Sequence, residues 1–346
     1  TVNKLFFMSS TNKTVPESVK MKDVAERAEV SLMTISRALN TPDKVSPLTL
    51  KKIKKAIVEL EYVPNMIAGT LSSQKSGFIA ALVPFLKSSP LTDTIRALAT
   101  HLREHHYQLL LGSTNYSIHQ EEALLVALLG RRPEAIVLTG SLHSSTSKRF
   151  LKRAGIPIVE IWDLPSDPLD LVVGYSNHDS GYQITHKLIQ KGYRSIAYGI
   201  TSSNDDRGEQ RLQGYLAAIE ESGLPVFIER LGAPPVQMEH GIQAISNLLA
   251  HEKKPDALIC VSDTMAVGAI FECQRRNISI PQELAIAGFG DFEIASNIVP
   301  SLTTVRVSGE EIGIKTAELL LKRLQNQHIE NSIVKVGSIY IERETT

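Results

Sequence analysis

Apolar residues recur every three or four positions over the first sixty residues, then change to short unbroken runs separated by helical patterns. In KMKDVAERA, Val24, Ala25 and Ala28 share one helical face. A turn follows at Glu29 and Val30, and Ser31 supplies an N-cap for a second helix over SLMTISRALN, residues 31–40. Ser46-Pro47 opens a third helix, with Ser as cap and Pro at the first helical position. Leu50, Ile53, Ile57 and Leu60 form its apolar stripe. Three short helices with a tight turn between the first two predict a helix-turn-helix head. In the second helix Ile35 and Leu39 face the core, leaving Leu32, Met33, Ser36, Arg37 and Asn40 on the front. An ordinary surface helix would show this pattern, and so would a helix laid in a DNA major groove. In the second case Arg37 and the hydroxyls of Ser31, Thr34 and Ser36 reach phosphates or base edges. Leu32 and Met33 then touch groove edges and thymine methyls.

YVPNMIAGTLSSQKS, residues 62–76, comes next. Pro64 can start a helix ending near Leu71, but about eight residues with an internal Gly69 hold no helix alone in water. The stretch reads as a plain linker, or as a segment that folds only with DNA and a second subunit present.

From residue 77 the strand candidates are FIAALVPF (78–85), YQLLLGS (107–113), AIVLTGS (135–141), PIVEIW (157–162) and LVVGYS (171–176). SIAYGI (195–200), VFIERLG (226–232), ALICVSD (257–263) and LAIAGFGD (284–291) continue the series. Helical patterns lie between nearly all of them, which predicts parallel sheets covered on both faces. The fold class is therefore α/β: a small all-α helix-turn-helix head and a body of two doubly wound parallel-sheet halves. Ligands in such sheets sit at the carboxyl ends of the strands.

The 346 residues are 42% hydrophobic and 21% charged, a composition that builds large cores. No apolar run is long enough to span a membrane. KLFFMSS is too short for a secretory signal, and Met8 could be the start, with 1–18 a disordered lead. Cys260 and Cys273 read as reduced cytosolic thiols, so a cytoplasmic protein is expected. The histidines show no metal-ligand spacing, and neither a metal nor a cofactor is expected. The net charge is zero but unevenly spread: residues 1–75 carry ten Lys and two Arg against seven acidic residues. A basic head on a mildly acidic body suits a polyanion-binding module, although KKIKK (51–55) alone fits a solvated helix face equally well.

Catalytic devices are missing. The first strand runs into VPFLKSSP without a glycine cradle, and GxxxxGK[ST] and G-x-S-x-G occur nowhere. Polar and aromatic residues do gather at the strand ends. Trp162 and Asp163 follow the fourth strand, and Tyr175, Ser176 and Asn177 the fifth. Ser262 and Asp263 follow ALICV, Gly290 and Asp291 follow AIAGF, and Arg211 lies near the start of a helix reading RLQGYLAAI. Each fits a loop or a cap; Asp263 could simply cap the helix after it. Together they favour a small polar ligand, with Arg211 able to fork onto a carboxylate.

VKMKDVAERAEVSLMTISRALN, YVPNMIAGTL, RLQGY, VSDTMAVGA, IAGFGDFEIA and PSLTTV resemble, in this order, the signatures of the lactose-repressor/galactose-repressor (LacI/GalR) family. The likeness covers about residues 19–340. Within the family, MTISR, the EIWD segment and FECQRR with IAGF look most like gluconate- and idonate-responsive repressors. The resemblance implies a homodimeric, ligand-responsive repressor of a sugar-acid utilisation operon, with a body like type I periplasmic binding proteins. It implies a DNA-binding domain over 19–63, a hinge helix and linker over 64–76, and an effector body over 77–346. One half would be about 77–176 plus 308–328, the other about 177–307 plus 329–346. Residues Ser31 to Asn40 would read operator DNA, with Leu32 and Met33 at base-reading positions. Leu71 of the hinge would be wedged into the minor groove at the operator centre, with Ala68 beside it and Asn65 also a DNA-binding residue. Arg211, Ser262 and Asp263 fall on effector-contact positions, and Pro90, Leu91, Trp162 and Tyr175 on pocket walls. Asp163 and Asn177 join them as polar strand-end groups.

Two positions depart from the family pattern. Glu29 stands where the helix turn usually has Gly, and Gly290 where an aspartate usually follows G-F. The acid contact to a sugar hydroxyl then comes from Asp291 or is absent. The C-terminal SIVKVGSIYIERETT carries no heptads, so no tetramerising coil is expected. The competing readings are a sugar-binding receptor without DNA function and a small-molecule enzyme. The basic head opposes the first, and no catalytic pair supports the second.

Overall fold

The computed structural model describes residues 19–63, 76–86, 89–201 and 206–346. The chain divides into two compact units, residues 1–76 and 77–346. The expectations for the lead (1–18) and for the hinge, with Asn65, Ala68 and Leu71, lie outside the described residues.

In the head, α1 (Met21–Ala28), α2 (Leu32–Asn40) and α3 (Pro47–Glu59) follow the sequence pattern. Ser31 caps α2 by accepting from the Thr34 amide at 3.2 Å, and Ser46 caps α3 by accepting from the Thr49 amide at 3.3 Å. Each such cap contributes about 1 kcal/mol. Glu29 ends α1 in the left-handed region, with φ 55°. A side chain there costs about 1–2 kcal/mol that glycine would avoid. Val24, Ile35 and Ile53 form the centre of the core, with Ala25, Ala28, Ala38, Ala56 and Tyr62 around them. Burying Ile35 stabilises the head by about 1.5–3 kcal/mol. The inner stripe of α2 differs from expectation: Ala38 is buried beside Ile35, and Leu39 is only half-buried. The small Ala38 lets α2 approach its neighbours, and Leu39 covers the edge of the contact.

In the body, the nine strand candidates all form strands. A six-stranded parallel sheet has the order β11-β5-β4-β3-β1-β2, and a four-stranded parallel sheet the order β7-β6-β8-β9. The first contains β1 (Phe78–Val83), β2 (Gln108–Ser113), β3 (Ala135–Thr139), β4 (Ile158–Ile161), β5 (Leu171–Gly174) and β11 (Ile333–Lys335). The second contains β6 (Ile196–Thr201), β7 (Phe227–Leu231), β8 (Ala257–Cys260) and β9 (Ala285–Ala287). Antiparallel β10 (Thr304–Val307) and β12 (Ser338–Ile341) form a separate pair.

The helices are α4 (Ser89–Glu104), α5 (Ile118–Leu129), α6 (Ser145–Ala154), α7 (Asn177–Gln190) and α8 (Asp206–Glu221). They continue as α9 (Met238–Ala250), α10 (Asp263–Arg275), α11 (Glu293–Asn297) and α12 (Gly309–Leu324). One boundary needs correction. Residues 329–346 were expected in the second half; β12 pairs with β10 and Thr345 bonds Ile286 and Ser301 there, but β11 pairs in parallel with β5 of the first sheet. Gly309 and Gly313 bring α12 against the backbone of α4 at Pro90 and Thr94. The chain therefore leaves α12 on the first half and covers the open edge of β5, satisfying its backbone groups.

Glycine also positions α8. A Cβ on Gly181 would overlap the carbonyl of Arg211, and one on Gly214 the carbonyl of His178. Helices α7 and α8 can cross at backbone contact only because both positions lack side chains. That crossing explains the glycine in RLQGY and holds Arg211 at its depth in the body.

Candidate functional site

The front of α2 is polar and apolar at once. Leu32 is 46% exposed and Met33 64% exposed, far from the behaviour of core residues. Arg37 is exposed, and its Nη2 lies 3.6 Å from Met33 Sδ. Thr34 and Ser36 are half-buried, and the hydroxyls of Ser31 and Thr34 lie 2.9 Å apart. Asn40 closes the helix, and its side chain lies outside the described ones. On α3, Lys51, Lys52, Lys54 and Lys55 are exposed, while Glu59 is drawn to Arg27 at 2.5 Å and to Lys55 at 3.6 Å. The head thus offers a short apolar and guanidinium-bearing helix face together with a lysine-rich helix, the composition suited to a groove flanked by phosphates.

The body contains a cavity of about 550 Å³ at the carboxyl ends of both sheets. Trp162, just beyond β4, forms one wall with φ 71°. Its Nε1–H donates to Thr94 Oγ at 3.1 Å, which donates onward to the Pro90 carbonyl at 3.0 Å. Tyr175 meets Trp162 edge-on at 6.0 Å between centroids and stacks on Phe289 at 6.2 Å with 20° between planes. Arg211, in the second turn of α8, lies with its guanidinium carbon 4.2 Å from the centre of the Phe289 ring. Its Nη1 donates to Tyr175 Oη at 3.2 Å and to Asn177 Oδ1 at 3.0 Å. Below it, burial pushes the Tyr198 phenol up to about 12, against the pull of the Arg211 charge.

Pro90, Leu91, Trp162, Tyr175, Arg211 and Ser262 line the cavity, as the sequence suggested. Asp163, Asn177, Asp263 and Asp291 are absent from its described lining. Asp163 is fully buried and accepts from Gln210 Nε2 at 3.1 Å, the Leu164 amide at 2.8 Å and the Ser141 hydroxyl. Asn177 sits behind the wall, accepting from Tyr175 Oη at 2.7 Å and donating to the Trp162 carbonyl at 3.2 Å.

Asp263 is not the cap of α10. Ser262 has that place, and Asp263 is fully buried, accepting from Thr304 Oγ at 2.6 Å and the Phe292 amide at 2.7 Å. Burial raises its carboxyl to about 7, despite those two bonds favouring the charge. Asp291 is held by Arg306 and Arg343, each at 2.6 Å. Tertiary pairing has withdrawn these groups from the cavity, and no single-chain spacing reveals it.

Other lining residues were missed. Arg207, Glu239, Phe85, Tyr116, Phe289 and Phe292 all face the same space. Arg207 and Glu239 occupy first turns of helices that follow strands, and Phe289 lies two residues beyond β9. Those positions in a doubly wound sheet were the available signal. Among the described lining residues there are two guanidiniums, Arg207 and Arg211, and one carboxylate, Glu239. The first turns of α8, α9 and α10 all contribute to the lining, which adds the positive ends of their dipoles.

Comparison with known proteins agrees with both parts. Residues 20–65 match the model of bacterial regulatory proteins of the lacI family, and residues 185–346 match a periplasmic binding protein-like domain. The HTH-type transcriptional regulator IdnR of Escherichia coli (strain K12) is 30% identical over 320 residues, covering 92% of this chain and 96% of that protein. The HTH-type transcriptional regulator GntR of the same strain is 32% identical, covering 92% of this chain and 95% of that protein. A lacI-family transcriptional regulator from Silicibacter pomeroyi of known crystal structure superposes with a TM-score of 0.88 at 28% identity, covering 94% of this chain and 99% of that one. The matched head sets aside the reading as a receptor without DNA function, and the relatives are regulators rather than enzymes. With a regulator's head and a ligand-binding body along nearly its whole length, the chain belongs to the lacI family of bacterial regulatory proteins.

Proposed function

We propose that this regulator is a cytoplasmic, homodimeric repressor whose hold on operator DNA is loosened by a small organic acid of the sugar-acid type. The observation that carries the ligand class is the cavity wall with two guanidiniums, three helix first turns and one carboxylate. A guanidinium fork and the positive ends of three helices suit a carboxylate, so an acid with hydroxyl groups fits better than a neutral hexose. The resemblance to gluconate- and idonate-responsive repressors supports the same class. On the head, Leu32, Met33 and Arg37 form the reading face. Paired hinges at 64–72, with Leu71 wedged into the minor groove, would couple the body to that face. The ligand can shift operator affinity only by its differential affinity for the two forms, commonly about 1–3 kcal/mol.

The experiment uses the chain's one tryptophan, Trp162, which lies in the cavity wall. D-Gluconate and D-glucose are titrated while Trp162 emission is followed, first with the parent and then with Arg211→Ala. Operator binding is then measured with each compound present. Gluconate is expected to change the emission and weaken operator binding, and Arg211→Ala to lose both effects. Equal binding of glucose, or an unchanged gluconate affinity in Arg211→Ala, would refute the acid reading.

A further inference from the structure

We propose that the first half of the body carries a second DNA contact, a basic surface on α5 and α6 that holds phosphates of the duplex flanking the operator. Leu125 and Leu128 of α5 and Leu151 of α6 pack against Ala80, Leu82, Ile136 and Leu138, all on one face of the first sheet. The two helices therefore share a layer and leave their outer faces and last turns open. Those positions are cationic. Lys148, Arg149, Lys152 and Arg153 stand one and four residues apart on α6, so they share one broad face, and all four are exposed. Arg131 and Arg132, just after α5, are exposed as well. The ends of α5 and α6 lead into β3 and β4, neighbours with Ile136 opposite Ile158. Arg131, Arg132, Lys152 and Arg153 thus stand at the amino end of the sheet, opposite the cavity.

The carboxylates of these elements are committed elsewhere. Glu121 meets His143 Nδ1 at 3.0 Å, Glu122 accepts from the Ser144 hydroxyl, and Glu160 is buried and accepts from the Leu169 amide at 2.7 Å. Helix α6 itself contains no acidic residue. The described ion pairs of this half lie at Arg96, His143, Lys315 and Arg323. Among the described residues none of the six cations is paired, and Arg149 Nη2 reaches only the Thr146 hydroxyl, at 3.3 Å. Lys152 and Arg153 suit the negative end of the α6 dipole. Lys148 and Arg149 do not share that role, and each has a like charge four residues on, an arrangement that weakens a helix until an anion covers it.

The chain enters the body at the same end. Gly77 donates its amide to Glu134 Oε1 at 2.8 Å, and the Glu134 amide donates to the Phe78 carbonyl at 2.8 Å. Glu134 is two residues from Arg132. DNA held by the head is therefore tethered to this end through residues 64–76, a stretch that reaches about 45 Å at most. A tether of that length raises the local concentration of phosphate over that of an untethered acidic protein. Duplex DNA carries one charge per about 1.7 Å of axis, so cations one helical turn apart, about 5.4 Å, can each meet a phosphate. Such contacts carry no base preference; they add affinity and salt dependence to the reading done by the head.

The test compares two duplexes: the minimal operator selected by this protein, and the same operator extended on each side by about 15 base pairs of random sequence, roughly 50 Å of axis. Binding of the full chain is measured between about 50 and 300 mM salt. The parent is expected to bind the extended duplex about fivefold or more tightly at low salt, with a steeper salt dependence. A variant with Arg131→Gln, Arg132→Gln, Lys152→Gln and Arg153→Gln together should match the parent in melting temperature and on the minimal operator, and lose the gain from the extension. The pairs Arg131→Gln/Arg132→Gln and Lys152→Gln/Arg153→Gln, made separately, should each lose part of it. Equal affinity of the parent for both duplexes overturns the proposal and leaves an acidic protein as the occupant of this surface. A gain kept in full by the fourfold variant overturns it as well. Weakened binding of the folded variant to the minimal operator would place these residues in the head's own contact and overturn a separate flanking one.

Discussion

Gln210 on α8 donates from one Nε2 to two carboxylates, Asp163 Oδ2 at 3.1 Å and Asp206 Oδ2 at 3.0 Å. Asp163 follows β4 of the first sheet, and Asp206 begins α8 of the second half. Ser141 Oγ also bridges them, donating toward Asp206 at 3.2 Å and lying against Asp163. The amide therefore ties the halves together while separating two like charges. Gln210→Ala should leave the carboxylates facing each other with Ser141 as the remaining bridge. The arrangement in which Gln210 ties the halves together should become less populated, and ligand affinity should fall in proportion to that population. X-ray scattering of the ligand-free protein should show a larger radius of gyration, and calorimetry a several-fold weaker effector. An unchanged scattering profile and affinity would show that the clasp does not hold the halves.

The reading face proposed for α2 gives a second prediction. Arg37→Ala should weaken operator binding by about 1–3 kcal/mol, across sequences if it holds a phosphate and at one base pair if it forks onto guanine. Substitution of Met33, 64% exposed and 3.6 Å from Arg37 Nη2, should change base preference more than affinity. Binding to a set of operator variants at fixed salt separates the two effects, and full binding by Arg37→Ala would contradict the assignment.

Asp263 predicts a pH dependence of stability. Its carboxyl is raised by burial from 3.8 to about 7 in the folded protein. The folded form then holds a proton that the unfolded chain releases. The stability associated with that proton is complete below about pH 4 and is lost as pH rises through about 7, with a slope of at most about 1.4 kcal/mol per pH unit. Asp263→Asn cannot titrate and should flatten this segment. Urea unfolding at pH 5 and pH 8 measures it, and identical pH slopes for parent and variant would remove Asp263 as the cause.

Asp291 predicts an indirect effect on the ligand. Its two ion pairs, to Arg306 and Arg343, fix a residue with φ 52° directly after the cavity-lining Gly290. Asp291→Ala should cost about 1–3 kcal/mol of stability, since it leaves the Arg343 guanidinium, 14% exposed, without that carboxylate. Effector affinity should fall with it through the loosened loop. Occupancy restored at raised ligand concentration, with an unaltered preference among ligands, is the signature of positioning. A changed preference would instead place Asp291 in contact with the ligand.

Much of this was legible along the chain because the relevant signals are local. Ser31 and Ser46 cap their helices through an amide three residues on, and the nine strand runs are continuous apolar segments. Arg211 was legible as a cavity residue because it lies in a helix following a strand end. Asp291 was not, since its partners stand 15 and 52 residues away. Nor was the fate of Asp263, whose adjacency to the Ser262 cap hid a partnership with Thr304, 41 residues on.

The sequence by itself determined the three-helix head, the alternation of strand and helix, and the front of α2, because periodicity and capping act over a few residues. Only the tertiary structure decided that β11 covers the edge of β5 rather than staying with the second half. It alone decided that Asp163, Asp263 and Asp291 serve the framework while aromatic rings and guanidiniums line the cavity. A carboxylate's role depends on which donors the folded chain brings within about 3 Å of it. That choice is made by packing between distant segments, which no local pattern records.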